Sequence, residues 1–273
     1  MPKVKVGDIN MYYEVHGQGE GLIFIAGFAS SLDVWRPVIP MFSREYRLVI
    51  FDNRGAGRTD APDIPYTVEM MADDLAGLLD AIGIKKAHIR GVSMGGGIAQ
   101  VFALRHPKRV VSLVLECTSC AGSQAIPASA EDMEALAKQT IQTPEESTSN
   151  QTALLGVTKE FAEKNPQIIK QVLEFMQQRP ASPTGAMRQM QATQLYHGTY
   201  ENLPEIKVPT LIIHGGADRL VPVENARILA SRIPNSELVM FKNTGHFMLE
   251  AGDDPNRIIL DFLKRHSKSG KGK

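Results

Sequence analysis

Residues 87–104 read Ala87-His88-Ile89-Arg90-Gly91-Val92-Ser93-Met94-Gly95-Gly96-Gly97-Ile98-Ala99-Gln100-Val101-Phe102-Ala103-Leu104. An apolar run leads into Gly91-Val92-Ser93-Met94-Gly95, and a helix-like run leads out of it. G-x-S-x-G between a strand and a helix describes a sharp elbow that presents a serine hydroxyl above a sheet edge. The glycines two before and two after the serine have a steric reason. The turn brings strand and helix so close that a Cβ at either place would clash. The five-residue pattern is weak alone, and its strand–turn–helix setting makes it specific.

Other short apolar runs accompany this one: Leu22-Ile23-Phe24-Ile25-Ala26, Leu48-Val49-Ile50-Phe51, Val110-Val111-Ser112-Leu113-Val114-Leu115, Thr210-Leu211-Ile212-Ile213 and Leu238-Val239-Met240-Phe241. Continuous runs of this kind fit strands covered on both faces. Helical spacing separates them. Met71, Leu75, Leu78, Leu79 and Ile82 share a face across Val68 to Ile82, and Glu224 to Arg232 and Asn256 to Lys264 repeat the pattern. The alternation predicts an α/β domain with a mostly parallel sheet. Val4-Lys5-Val6 and Met11-Tyr12-Tyr13-Glu14-Val15 predict an antiparallel hairpin at the start.

The rhythm stops between about Ser119 and Pro204. This segment holds 11 of the 13 glutamines, has no strand-like run, and is punctuated by prolines at 127, 144, 166, 180 and 183. It is too long for a plain loop in a compact domain. The expected organisation is a core of residues 1–119 and 205–267, a helical cap of residues 120–204, and a disordered tail at 268–273.

A serine hydroxyl needs a base, and the base needs an orienting acid. His246, in Asn243-Thr244-Gly245-His246-Phe247 after the last apolar run, is the expected base, with His214 as competitor. Asp218 lies in a glycine-containing turn after the strand that ends near Ile213, in the chain order Ser…Asp…His. It is the expected acid, and Glu116 is its rival. The oxyanion of an acyl-transfer intermediate is held by backbone N–H groups. Met94, next after the serine, and Phe28, in the loop after the third strand, are the expected donors. Phe28, Trp35, Met94 and Phe247 are expected to line an apolar site, with Met133, Met176, Met187 and Met190 of the cap as further surface.

Composition excludes several classes. With 30 basic and 30 acidic side chains, no net charge draws nucleic acid or an anionic membrane. No apolar run approaches a spanning length of about 20 residues, and the first residues lack a secretory leader, so a cytoplasmic location is the default. Cys117 and Cys120 form a C-x-x-C without a second ligand pair, which favours packing over metal or redox chemistry. Asp52 to Thr59 is glycine-rich, yet its order departs from G-x-G-x-x-G, which argues against nucleotide binding. Neither metal nor organic cofactor is expected, and the expected partner is a small-molecule ester or lactone.

Together these motifs resemble the α/β-hydrolase fold superfamily, in the branch with a helical cap between strands six and seven. The resemblance runs from Tyr12 to Leu263. It rests on Ala26-Gly27-Phe28, the stretch Phe51 to Thr59, the elbow, His214-Gly215-Gly216-Ala217-Asp218 and Gly245-His246-Phe247. It implies an eight-stranded sheet and a serine hydrolase of carboxylic esters, most like 3-oxoadipate enol-lactone hydrolases and small carboxylesterases. Three departures matter. Ala26 stands where many relatives carry a histidine that braces the oxyanion loop. Phe247 stands where carbon–carbon bond hydrolases often carry tryptophan. Ser93 separates the chain from relatives with an aspartate nucleophile. Carbon–carbon hydrolysis, thioester hydrolysis or perhydrolysis on the same triad, and a non-enzymatic receptor on the same fold, are the alternatives.

Overall fold

A computed structural model describes residues 3–132, 134, 155–178 and 181–267. Eight strands form one sheet in the order β1-β2-β4-β3-β5-β6-β7-β8. In chain order they are β1 Lys3–Val6, β2 Ile9–His16, β3 Glu20–Ile25, β4 Tyr46–Phe51, β5 Ala87–Val92, β6 Val110–Glu116, β7 Thr210–Gly215 and β8 Ser236–Phe241. The hairpin β1–β2 and the pair β2–β4 are antiparallel, and the other neighbours are parallel. Each apolar run named above falls on a strand. The helices are α1 Ile39–Phe42, α2 Val68–Ala81, α3 Met94–Arg105, α4 Lys159–Lys164, α5 Pro166–Gln178, α6 Pro183–Leu195, α7 Glu224–Arg232 and α8 Asp254–His266.

Alternation along the strands sends side chains to two cores. Ile23, Ile25, Val49, Phe51, Ile89 and Leu113 face α2, α3 and α7. Leu22, Phe24, Leu48, Ile50, Val114 and Leu211 face α1 and α8, the latter through Ile259, Phe262 and Leu263. Parallel strands covered on both faces must be apolar throughout, which is why they read as runs. Helix α2 begins where expected because Thr67 caps it, its side chain accepting from the Met70 N–H. Between β6 and β7 the described residues contain no strand, and α4, α5 and α6 occupy the segment. The expectations for residues 268–273, for Met133 and for the side chain of Met176 lie outside the described residues.

The structure places Trp35 and Glu116 in the interior. The 3-10 helix Leu32–Val38 turns the Trp35 indole onto the sheet, where it is 5% exposed and centred 4.9 Å from Phe24. The Arg90 guanidinium lies 5.0 Å from the same ring and 4.9 Å from Phe24. Glu116, the rival acid, is spoken for by this cation: Arg90 Nε and Nη2 donate to its Oε2 at 2.9 and 2.7 Å. A charge enclosed among rings needs such a partner, and Glu116 at the end of the neighbouring strand supplies it.

His88 on β5 is fully enclosed, its Nδ1 2.7 Å from Ser112 Oγ. Burial disfavours the imidazolium and pushes its pKa down to about 4. Above the ordinary value near 6.5 the group is neutral folded or unfolded and has no effect on stability. Between about 6.5 and 4 the unfolded chain gains a proton that the folded chain does not, so stability falls as the pH falls, by about 2.5 kcal/mol at pH 4.5. Urea denaturation at pH 7.5 and 4.5 is expected to show that loss in the wild type and a loss smaller by roughly that amount in His88→Gln.

Candidate active site

The parallel strands deliver their C-terminal ends to one edge. Val92 of β5 is in register with Glu116 of β6, Glu116 with Ile213 of β7, and Ile213 with Val239 of β8. Ser93, Asp218 and His246 follow β5, β7 and β8 beyond this line, where open α/β sheets bind their ligands.

Ser93 joins β5 to α3 with φ 54° and ψ −123°. A non-glycine residue pays on the order of 1–3 kcal/mol for such a conformation. Four hydrogen bonds hold it. Its N–H donates to the Glu116 carbonyl at 2.9 Å, and its own carbonyl accepts from Gly96 N (2.9 Å), Gly97 N (3.3 Å) and Thr118 Oγ1 (2.7 Å). The flanking glycines are steric necessities. A Cβ at Gly91 would run into the Gly95 carbonyl, one at Gly95 into the Ile25 and Ala26 carbonyls, and one at Gly96 would lie 2.6 Å from the Thr118 side chain.

Beside the elbow runs the loop after β3. A Cβ built on Gly27 would stand 3.4 Å from Ser93 Cβ and 3.9 Å from its Oγ, so the Ala26-Gly27-Phe28 backbone borders the serine. The Phe28 ring itself is 40% exposed. The loop is tied down by its neighbours: Asn53 Nδ2 donates to Ala26 O at 3.0 Å, and Asp52 Oδ1 accepts from Leu32 N at 2.6 Å. Asp52 Oδ2 accepts from Arg58 N at 2.7 Å, so this buried side chain ties the loops after β3 and β4 together.

The acid and the base meet. His246 Nδ1 lies 2.7 Å from Asp218 Oδ2. Asp218 Oδ1 accepts from the Leu220 and Val221 N–H groups at 2.9 and 2.8 Å, which fixes the carboxylate in its turn. Burial alone would raise its pKa, but the His246 charge and these hydrogen bonds outweigh burial and hold it well below the usual carboxylate range. The two loops are packed backbone to backbone, with Ala217 N donating to Thr244 O at 3.0 Å. His214, the competing base, is fully buried beneath the pair, with Nε2 2.8 Å from the Val221 carbonyl and 3.3 Å from Asp218 Oδ2. It supports the carboxylate and has no access to a substrate. Cys117 joins His214 and Asp218 within 4.8 Å. The Asp218 oxygens are already committed to hydrogen bonds, and burial pushes the Cys117 thiol well up, so this donor set is poorly disposed to a metal.

The segment between β6 and β7 touches this edge at the histidine loop and at the oxyanion loop. At the histidine loop, Phe247 N donates to Gly156 O at 2.8 Å, and Phe247 joins the apolar cluster built on Val157 and Ile169. At the oxyanion loop, Gln189 of α6 accepts from Ala29 N at 2.9 Å. Sequence reasoning missed Gln189: one buried glutamine among many exposed ones carries no periodic signature. Of the expected methionines, Met187 is exposed and Met190 half-buried on α6.

A family model described as alpha/beta hydrolase fold matches residues 21–253. RutD of Azorhizobium caulinodans, named for carbamate hydrolysis, is 28% identical over 96% of this chain and 98% of its own. A 2-hydroxy-6-oxononadienedioate/2-hydroxy-6-oxononatrienedioate hydrolase of Dechloromonas aromatica is 31% identical over 96% of this chain and 93% of its own. Among solved structures, the enol-lactonase of Burkholderia xenovorans superposes with a TM-score of 0.84 at 24% identity, covering 96% and 99% of the two chains. A thermophilic esterase of Thermogutta terrifontis gives 0.83 at 25% identity, covering 98% and 100%.

The elbow's steric demands can be checked with two glycines of the same helix. Gly95→Ala meets backbone carbonyls, which cannot move aside, and is expected to destabilise by at least about 2 kcal/mol. Gly97 has open space around its Cα, and Gly97→Ala is expected to stabilise by about 0.5–1 kcal/mol. Urea midpoints of the two variants measure both signs.

Proposed function

Because the chain belongs to the alpha/beta hydrolase fold family, we propose that it is a serine hydrolase that cleaves a carboxylic ester or enol-lactone through an acyl-enzyme. The observation that carries this reading is the buried 2.7 Å contact of His246 Nδ1 with Asp218, on the same sheet edge as a strained Ser93. The ionised carboxylate takes the Nδ1–H, which leaves Nε2 as the basic nitrogen. Nε2 removes the Ser93 proton as Oγ attacks the carbonyl carbon, and Asp218 stabilises the imidazolium that forms. Charge that develops on the carbonyl oxygen is met by the Met94 N–H, at the positive end of α3, and by the Phe28 N–H. The imidazolium then protonates the leaving alkoxide or enolate. Water, activated by the same histidine, releases the acid and restores Ser93.

Helices α4 to α6 act as a cap in this proposal. Phe247 is a joint between that cap and the catalytic histidine, its half-buried ring set against the cluster of Val157 and Ile169. A second reading is hydrolysis of a ring-opened dienoate on the same triad. The 31% identity to the Dechloromonas enzyme favours it, and Phe247 counts against it.

Ser93→Ala is expected to lower kcat/KM for short aryl esters by at least about 10⁴-fold, with an unchanged circular dichroism spectrum, and Asp218→Asn by about 10³- to 10⁴-fold. Undiminished turnover in Ser93→Ala would rule the nucleophile out. A steady-state panel of aryl esters, enol-lactones and 2-hydroxy-6-oxo dienoates separates the two readings: the first expects the highest kcat/KM on an ester or lactone.

A further inference from the structure

Gln189 is fully buried and uses both ends of its amide on the core domain's loops. Its Oε1 accepts from Ala29 N at 2.9 Å, and its Nε2 donates to Arg54 O at 2.7 Å. The first of these bonds falls on a tight place. Ala29 has φ 54°, a left-handed conformation that an alanine holds only when its surroundings insist. Ala29 directly follows Phe28. On the other side, Asn53 Nδ2 fixes the Ala26 carbonyl at 3.0 Å. The peptide that carries the Phe28 N–H therefore lies between two pinned peptides, one held by Asn53 of the core and the other by Gln189 of the inserted segment. Ala26 itself offers no polar side chain to brace the loop.

The helix that carries Gln189 is seated firmly enough to act as a support. A Cβ on Gly185, near the start of α6, would run into the Gly55 carbonyl, so the two backbones touch. Arg188 Nη2 donates to Asp63 Oδ1 at 2.6 Å. Three successive footholds, at 185, 188 and 189, thus lock α6 to the loops after β3 and β4.

We infer that Gln189 is a positioning residue that sets the Phe28 N–H against the developing oxyanion at Ser93, so that the inserted segment governs the rate of the reaction as well as the choice of substrate. This rests on the reading of Phe28 as an oxyanion donor. An oxyanion donor acts in the transition state more than in the ground state, so its displacement lowers kcat and spares KM. A glutamine that only satisfied buried backbone groups would lower stability and leave kcat per active molecule alone.

The test uses Gln189→Met, which keeps the volume and removes both hydrogen bonds, and Gln189→Glu, which keeps an acceptor for Ala29 N. Active serines are counted with a fluorophosphonate, and kcat is expressed per counted serine on an aryl ester. Gln189→Met is expected to lose about 10- to 100-fold in kcat, less than the roughly 10²- to 10³-fold cost of removing an oxyanion donor outright, with KM within about threefold, and Gln189→Glu is expected to recover part of the loss. A folded Gln189→Met with wild-type kcat per counted serine overturns the inference. Amide exchange of the wild-type protein tests the same bond without a variant: the Ala29 N–H is expected to be strongly protected, and free exchange there overturns the inference too. Ser93→Ala run in parallel keeps the two claims apart, since activity surviving in that variant removes the serine mechanism, whereas its loss beside an unaffected Gln189→Met removes only the role of Gln189.

Discussion

The backbone of Ser93, held at φ 54°, is the constraint on which the rest of the active edge depends. A residue in that conformation relaxes unless its surroundings forbid it. Here the Glu116 carbonyl, the Thr118 hydroxyl and the first turn of α3 all grip the same peptide units. That grip obliges α3 to start immediately after β5. It brings helix and strand so near that only glycine fits at 91, 95 and 96, and it brings the Met94 N–H to the serine. The tight packing of Gly95 on the Ile25 and Ala26 carbonyls also locates the end of β3, so the loop that follows has only one course past the serine. A local backbone distortion thereby fixes the relative positions of three strands and two loops.

Electrostatics complete what the backbone begins. The Asp218 carboxylate is buried, and burial of a charge is tolerable only when its acceptors are satisfied. Two backbone N–H groups and His246 meet that need, with His214 close behind. The hydrogen-bonding that makes the acid affordable in the interior also orients the imidazole. The segment between β6 and β7 then rests on both sides of this arrangement. Gly156 and Val157 abut the histidine loop, and Gln189 holds the oxyanion loop. In the proposed mechanism, a segment attached to both loops is placed to couple substrate fit to catalysis.

Much of this was legible in the sequence, for physical reasons that differ by element. Strands buried on both faces leave no alternative to continuous apolar runs, so β3, β4, β6 and β7 declared themselves. Helix α2 was marked by its apolar stripe. The elbow, Asp218 and His246 were legible because sharp turns at strand ends need glycine and a fixed chain order. What escaped was decided by packing between distant parts of the chain. Trp35 was expected to line an apolar site, and the 3-10 helix Leu32–Val38 turns it onto the sheet against Phe24. Glu116 looked like a possible acid, and the buried Arg90 claims it. Gln189 was one glutamine in a glutamine-rich segment, and only the approach of α6 to Ala29 and Arg54 distinguishes it. Residue chemistry is local, whereas the assignment of one buried polar group to another depends on the whole fold.

The most direct test of the account's central claim is covalent. A fluorophosphonate should react at the one serine whose hydroxyl is activated by a neighbouring base. Intact-mass and peptide mass spectrometry are predicted to find a single adduct per chain on the peptide that contains Ser93, formed at least about 100-fold more slowly in His246→Ala. An adduct elsewhere, or one at Ser93 that forms equally fast without His246, would contradict the claim that Ser93, His246 and Asp218 act as one catalytic unit.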